Sequence, residues 1–310
     1  MYDILIYSVG YEERSGFSPM SVEARSRIAL VFGGPHVFHF HSNLSRAMDR
    51  GDALIAEKSI EADLPVAVMG MLDRGSGGRD VPPSILVDVS SMSRRMMAVV
   101  LHFLLVATDQ KIAISVNYSV GEYMPPPAEE PSFLDFGPAP HCEGWTTYPE
   151  RPLSVITGLG YEVDQAVGAM EFLDPSGIWA FIPVGPDIRF YHDLQRSNET
   201  LWPLLDRSHR RQYELMQPYQ LFAELRGLAA ALARRSRVII VPGGPKLFSA
   251  LAIIIKFELG EEVAVWRASV NEFTPARDVK PAGGLIKFDY KRPRARVDTA
   301  LSLGGSKSVA

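Results

Sequence analysis

Ile85-Leu-Val-Asp-Val-Ser-Ser-Met-Ser-Arg94 and Val238-Ile-Ile-Val-Pro-Gly-Gly-Pro-Lys246 decide the fold, because they are one pattern written twice. Each is a short run of branched apolar residues that stops at a turn of small residues. A long apolar stretch follows each, Met96–Ala107 in the first case and Leu247–Phe257 in the second. A short branched run reads as a strand buried on both faces, and an apolar stretch of that length behind a turn reads as a buried helix. The first copy continues into another strand over Ile112–Tyr118, which completes a strand–helix–strand unit.

The correspondence extends outward. Ser8-Val-Gly-Tyr-Glu12 lies opposite Gly158-Leu-Gly-Tyr-Glu162, each behind a short apolar strand, Ile4–Tyr7 or Ser154–Thr157. Phe40-His41 meets Tyr191-His192, and Ser119-Val-Gly-Glu-Tyr-Met-Pro125 meets Ser269-Val-Asn-Glu-Phe-Thr-Pro275. Four matches in one order at an offset of about 150 residues point to duplication, and two copies make a fused pair rather than a solenoid. The fold class expected is therefore α/β, with two tandem Rossmann-like halves and mostly parallel sheets related by internal duplication. Residues 1–152 form the first half, ending in the proline-rich stretch Met124–Pro152, which suits an extended connector. Residues 153–310 form the second, with one or two amphipathic helices over Asn198–Arg235 and a frayed tail after about Val297.

Composition narrows the class of partner. The 310 residues carry 32 basic and 36 acidic side chains, a formal charge of −4, which disfavours duplex nucleic acid and anionic membrane as partners. Cys142 is the only cysteine, so no internal disulfide and no thiolate zinc cluster can form. Together with an opening segment, Met1-Tyr-Asp-Ile-Leu-Ile-Tyr7, that lacks an export pattern, this leads us to expect a cytoplasmic protein. The longest apolar runs contain His102 and Lys256 and fall short of the roughly 20 residues that span a bilayer.

In a parallel α/β sheet the strand-to-helix turns gather at the carboxyl edge, where ligands bind. Ser90, Ser91, Ser93 and Arg94 open one buried helix; Gly243, Gly244 and Lys246 open the other. Unpaired backbone N–H groups and the positive end of the helix dipole favour an anion at both places. The turns are either paired phosphate cradles or plain helix starts in which the serines only cap. The turns after the first strands add Gly10, Tyr11, Glu12, Glu13 and Arg14 in one half, and Gly158, Gly160, Tyr161 and Glu162 in the other. Tyr11 and Tyr161 could stack on a base while the carboxylates accept from its edge or from ribose; Glu13 reads equally as a first-turn acid of a helix. Glu122 and Glu272 end later strands, as ligand contacts or as structural turns.

Several other chemistries find no support. Val163 occupies the last glycine position of a G-x-G-x-x-G fingerprint, so NAD is not expected, nor is any other cofactor. His36, His39 and His41 cluster, with His39 and His41 on one side of a strand, but no neighbouring carboxylate or cysteine completes a ligand set, so no metal is expected. Arg95 and His102 fit an arginine, six residues, histidine spacing used by one nuclease superfamily, yet His102 lies in an apolar helix and the fit reads as coincidence. There is no G-x-S-x-G elbow and no complete Walker A motif.

Val87-Asp-Val-Ser-Ser-Met-Ser-Arg-Arg-Met-Met97 and Val241-Pro-Gly-Gly-Pro-Lys246 resemble the strand, Thr-Gly-Gly-Thr-Lys-like turn and apolar helix of the CRISPR-associated Rossmann (CARF) domains. The likeness implies a sensor of cyclic oligonucleotides in prokaryotic defence, with the serines, Arg94, Gly243, Gly244 and Lys246 cradling the ligand and two halves mimicking the usual dimer in one chain. The first turn lacks the family's glycines, and the second has prolines where the family has threonines.

Three functions follow from these readings. The first is a sensor of a nucleotide-like small molecule, acting through a protein effector or a homo-oligomer. The second is an enzyme on a nucleotide or phosphate ester, with Ser91 or Ser93 as nucleophile, Lys246 or Arg94 on the phosphate and Glu12 or Glu162 as base. In the third, a structural subunit, the connector and the Asn198–Arg235 region are the working surfaces.

Overall fold

In a computed structural model that describes residues 1–75, 81–108, 111–126, 133–144, 147–162, 165–270 and 276–291, the chain folds as two mostly parallel α/β halves. The first half runs β1 (Tyr2–Val9), α1 (Phe17–Ser21), β2 (Ala24–Val31), α2 (Phe40–Asp49), β3 (Ala53–Ala56), α3 (Ile60–Gly75), β4 (Ser84–Asp88), α4 (Arg94–His102) and β5 (Ala113–Gly121). A short strand, β6 (Phe133–Pro138), lies in the connector. The second half runs β7 (Leu153–Gly158), α5 (Gln165–Leu173), β8 (Gly177–Val184), α6 (Ile188–Ser197), β9 (Arg210–Glu214), α7 (Pro218–Ala233), β10 (Arg237–Pro242), α8 (Lys246–Leu259) and β11 (Val263–Val270), followed by β12 (Pro281–Tyr290).

The five parallel strands of each half share one order, β5-β4-β1-β2-β3 in the first and β11-β10-β7-β8-β9 in the second, as duplication requires. A sixth, antiparallel strand closes one edge of each sheet, and these two strands are exchanged. β6 leaves the first half and pairs with β11, with Ala268 opposite Phe136; β12 leaves the second half and pairs with β5, with Phe288 opposite Val116. Sheet membership therefore crosses the boundary at residue 152, and each half supplies the edge of the other.

Side-chain alternation explains the layers. On β1, Ile4 and Ile6 point into the core between the sheets, whereas Leu5, Tyr7 and Val9 point to the opposite face, against Phe40 and Ala47 of α2. The central core is shared: α3 and α4 of one half and α7 and α8 of the other fill it together with residues from both sheets. Burial on both faces is why the strands read as unbroken apolar runs. Val155, Ile239 and Val241 face outward onto the second half's own cluster with Ala166, Ala169 and Leu194 of α5 and α6. No helix among the described residues is long and apolar enough to cross a membrane.

Two local expectations are corrected. Asn198–Arg235 holds one long helix, α7, but the part before it forms two short 3-10 turns and β9. Arg210-Arg-Gln-Tyr-Glu214 buries only Tyr213, so its sequence carries none of the apolar signal of a central strand; its charges suit an exposed sheet edge. His39 and His41 are not on a strand: His39 caps α2 and His41 lies within it, because Phe40, Asn43 and Ala47 bury at helical spacing against β1. The equivalent pair Tyr191-His192 lies in α6, so the match between the halves holds as helix. Glu272 and the tail after Val297 lie outside the described residues.

Candidate ligand site between the halves

The two turns singled out by sequence meet across the joint. Arg94 and Lys246 each occupy the first position of the buried helices, α4 and α8, which pack against one another. From there Arg94 reaches into the other half, and Lys246 lies within the electrostatic field of the first half. Arg94 Nη2 lies 3.9 Å from Glu162 Oε1, and its Nε donates to Ser249 Oγ at 3.4 Å. Lys246 senses Glu12, Arg14, Arg94 and Asp88, all from the first half. Glu12 and Glu162 are the matched carboxylates of the two first-strand turns, so Arg94 beside Glu162 and Lys246 in the field of Glu12 occupy equivalent places in the duplication.

Burial pushes the Lys246 ammonium down to about 8, helped by the neighbouring Arg14 and Arg94 and opposed by Glu12 and Asp88. Burial likewise lowers Arg94, with Glu162 opposing. Arg14 stays charged. Its buried guanidinium donates to Glu12 Oε2 at 2.5 Å and to Ser119 O at 3.3 Å; burial lowers it, but Glu12 and Tyr118 together outweigh burial and raise it.

The serines do other work. Ser90 Oγ donates to Asp88 and accepts from Ser119 N at 2.7 Å, deep in the core. Ser91 Oγ shares a hydrogen bond with Ser15 Oγ at 2.7 Å, and Ser15 in turn holds the backbone of Ser8 and Gly10. Ser93 caps α4, accepting from Met96 N at 3.1 Å and donating to Glu57 Oε1 at 2.8 Å. All three hydroxyls therefore have partners within the protein. The glycines also have structural roles. Gly244 has φ +64°, and a Cβ there would lie 2.2 Å from Leu159 O; Gly243 N donates to Gly158 O at 2.9 Å. The two turns of the second half touch backbone to backbone, which only residues without side chains allow.

A cavity of about 410 Å³ opens beside these turns. Its second-half wall is the turn Leu159–Glu162, the loop at Pro183–Pro186, Phe190 of α6, and Gly244-Pro245. Its first-half wall is Arg14, the end of β5 from Tyr118, and Glu122 and Met124 beyond it. Arg277 and Val279, on the segment that leads into β12, complete it. Tyr161 stacks on Phe190 with ring centroids 5.9 Å apart at 10°, forming a flat aromatic wall. Tyr161 Oη and Glu162 Oε2 are buried without a hydrogen-bond partner among the described residues, and burial raises the Tyr161 phenol.

Of the residues expected from sequence, Arg14, Gly160, Tyr161, Glu162 and Gly244 line this cavity, as does Glu122. Arg94, Lys246 and Glu12 form the charged cluster at the joint, while Ser90, Ser91, Ser93, Gly10, Gly158 and Gly243 shape the turns. Tyr11 is set apart, packed on Phe32 and Phe38. The halves are thus unlike here: Tyr161 faces the cavity and its counterpart does not. Phe190, Tyr118 and Arg277 have no sequence signal, since each reaches the cavity only through tertiary contacts.

The chain matches no protein-family model and no curated protein.

Proposed function

We propose that the chain binds an anionic, nucleotide-type ligand in the cavity between its halves and serves as a sensor of that ligand, the role carried by the CARF domains whose strand–turn–helix segment it resembles. One observation carries the reading: a stacked aromatic wall, Tyr161 on Phe190, stands in the same cavity as Arg14 and Arg277, beside the cationic helix starts at Arg94 and Lys246. A flat apolar face suits a base, and fixed cations at helix N-termini suit phosphate. The volume lies within the range of small-molecule sites, roughly 300–1,000 Å³. A ligand that touches both walls would bias how the halves pack, and the response would pass to a partner protein or a second copy.

The test is thermal stability against mononucleotides, dinucleotides and cyclic oligonucleotides. A ligand at ~100 times its dissociation constant adds about 2.7 kcal/mol. Tyr161→Ala should cut the effect sharply, because base–aromatic stacking contributes about 1–3 kcal/mol. If no member of the panel stabilises the chain, the reading fails. The enzymatic alternative would place Lys246 or Arg94 on the phosphate and Glu12 or Glu162 as base, groups that gather at this joint. Chromatography of the incubated ligand separates the two, since a sensor returns it unchanged.

A further inference from the structure

Beside the cavity, the fold assembles a set of groups that the sequence keeps far apart. Glu13 follows the first strand, His39 caps α2, and Asp278 lies on the segment that carries the chain from the second half into the exchanged strand β12. One oxygen of each carboxylate and one imidazole nitrogen lie within 4.8 Å of one another. His39 Nε2 is 3.2 Å from Asp278 Oδ2 and 4.0 Å from Glu13 Oε2. We infer that Glu13, His39 and Asp278 form a binding site for a divalent first-row transition ion, of the Zn²⁺ class, that fastens the incoming segment of the second half to the first.

The geometry suits such an ion. Bonds of about 2.0–2.2 Å at tetrahedral angles place ligand atoms roughly 3.3 Å apart. His39 and Asp278 already have that spacing, and the Glu13 side chain, 42% exposed, is free to close the remaining gap. The backbone fixes the frame: Glu13 N donates to Asp278 Oδ1 at 2.9 Å, and His39 N donates to Tyr11 O at 3.1 Å. Asp278 therefore turns Oδ2 toward the imidazole, which would ligate through neutral Nε2. Three protein ligands at partial exposure leave room for water, and one imidazole among two carboxylates favours a transition ion over Mg²⁺ or Ca²⁺. The flanking residues matter too. Arg14 and Val279 both line the cavity and are joined by a hydrogen bond from Arg14 N to Val279 O at 3.1 Å. An ion here would hold that wall in place.

The test is titration of the chelator-treated full chain with Zn²⁺ by calorimetry and with Co²⁺ by visible absorption. The expected result is one ion per chain, with visible Co²⁺ bands that equimolar Mg²⁺ does not remove. His39→Gln and Glu13→Gln should each weaken binding by about tenfold or more. His41→Gln, an exposed histidine outside the set, should leave it unchanged. The side chains of His39 and Glu13 are 40% and 42% exposed, so neither substitution threatens folding. Equal binding by His39→Gln and the wild type, or no saturable binding, overturns the site; displacement of Co²⁺ by equimolar Mg²⁺ overturns the class of ion.

Discussion

Arg94, at the start of α4, comes within 3.9 Å of Glu162, on the first-strand turn of the opposite half, and so joins the two copies of the duplicated unit at their sheet edges. Both side chains are partly exposed, at 24% and 29%. A screened pair of this kind contributes less than about 1 kcal/mol. A double-mutant cycle with Arg94→Ala and Glu162→Gln, read from urea midpoints, should give a coupling below that figure that shrinks further in salt. A coupling of several kcal/mol would mean that the pair, rather than the shared core, holds the halves together.

Lys246 makes stability depend on pH in a defined direction. Its folded value of about 8 lies below the ordinary 10.5, so between those values the unfolded chain binds more protons. Stability therefore carries a charge penalty below pH 8 that is relieved as pH rises from about 8 to 10.5. Lys246→Met should be more stable than the wild type at pH 7, by on the order of 1 kcal/mol after screening, with the difference vanishing near pH 10.5. Urea melts at the two pH values check this, and a constant difference would contradict it.

Two glycines should respond oppositely to alanine. Gly244→Ala places a Cβ 2.2 Å from Leu159 O at φ +64° and should cost more than about 2 kcal/mol. At Gly227, exposed within α7, an added Cβ meets nothing within 4 Å. Helix propensity then predicts a gain of about 0.5–1 kcal/mol for Gly227→Ala. Denaturant midpoints of the two variants, compared with the wild type, decide the matter.

The exchanged strands should make unfolding a single event. Phe288, 2% exposed on β12, packs with ring centroids 5.0 Å from both Tyr219 and Phe222 of α7 while its strand pairs with β5. Phe288→Ala should cost about 3–5 kcal/mol. Because the central core draws on both halves, far-UV circular dichroism and tryptophan fluorescence should report one coincident transition in the wild type and the variant. Of the four tryptophans, Trp179, Trp202 and Trp266 lie among the described residues of the second half, so separated transitions would show the halves to be independent.

Local patterning in the sequence was enough to identify the duplicated strand–turn–helix units, because a strand buried on both faces must be apolar throughout and a helix in a shared core must be apolar nearly all round. It also placed Arg94 and Lys246 at equivalent helix starts, and Tyr161 and Glu162 beside a turn. Only tertiary structure decided that β6 and β12 trade sheets, since an edge strand pairs through backbone groups that every residue carries and needs no distinctive side chains. Packing likewise directed the hydroxyls of Ser90, Ser91 and Ser93 to partners inside the protein, and left Tyr161 on the cavity while Tyr11 turned away. Glu13, His39 and Asp278 meet for the same reason: their proximity comes from the path of the exchanged segment, and no spacing along the chain encodes it.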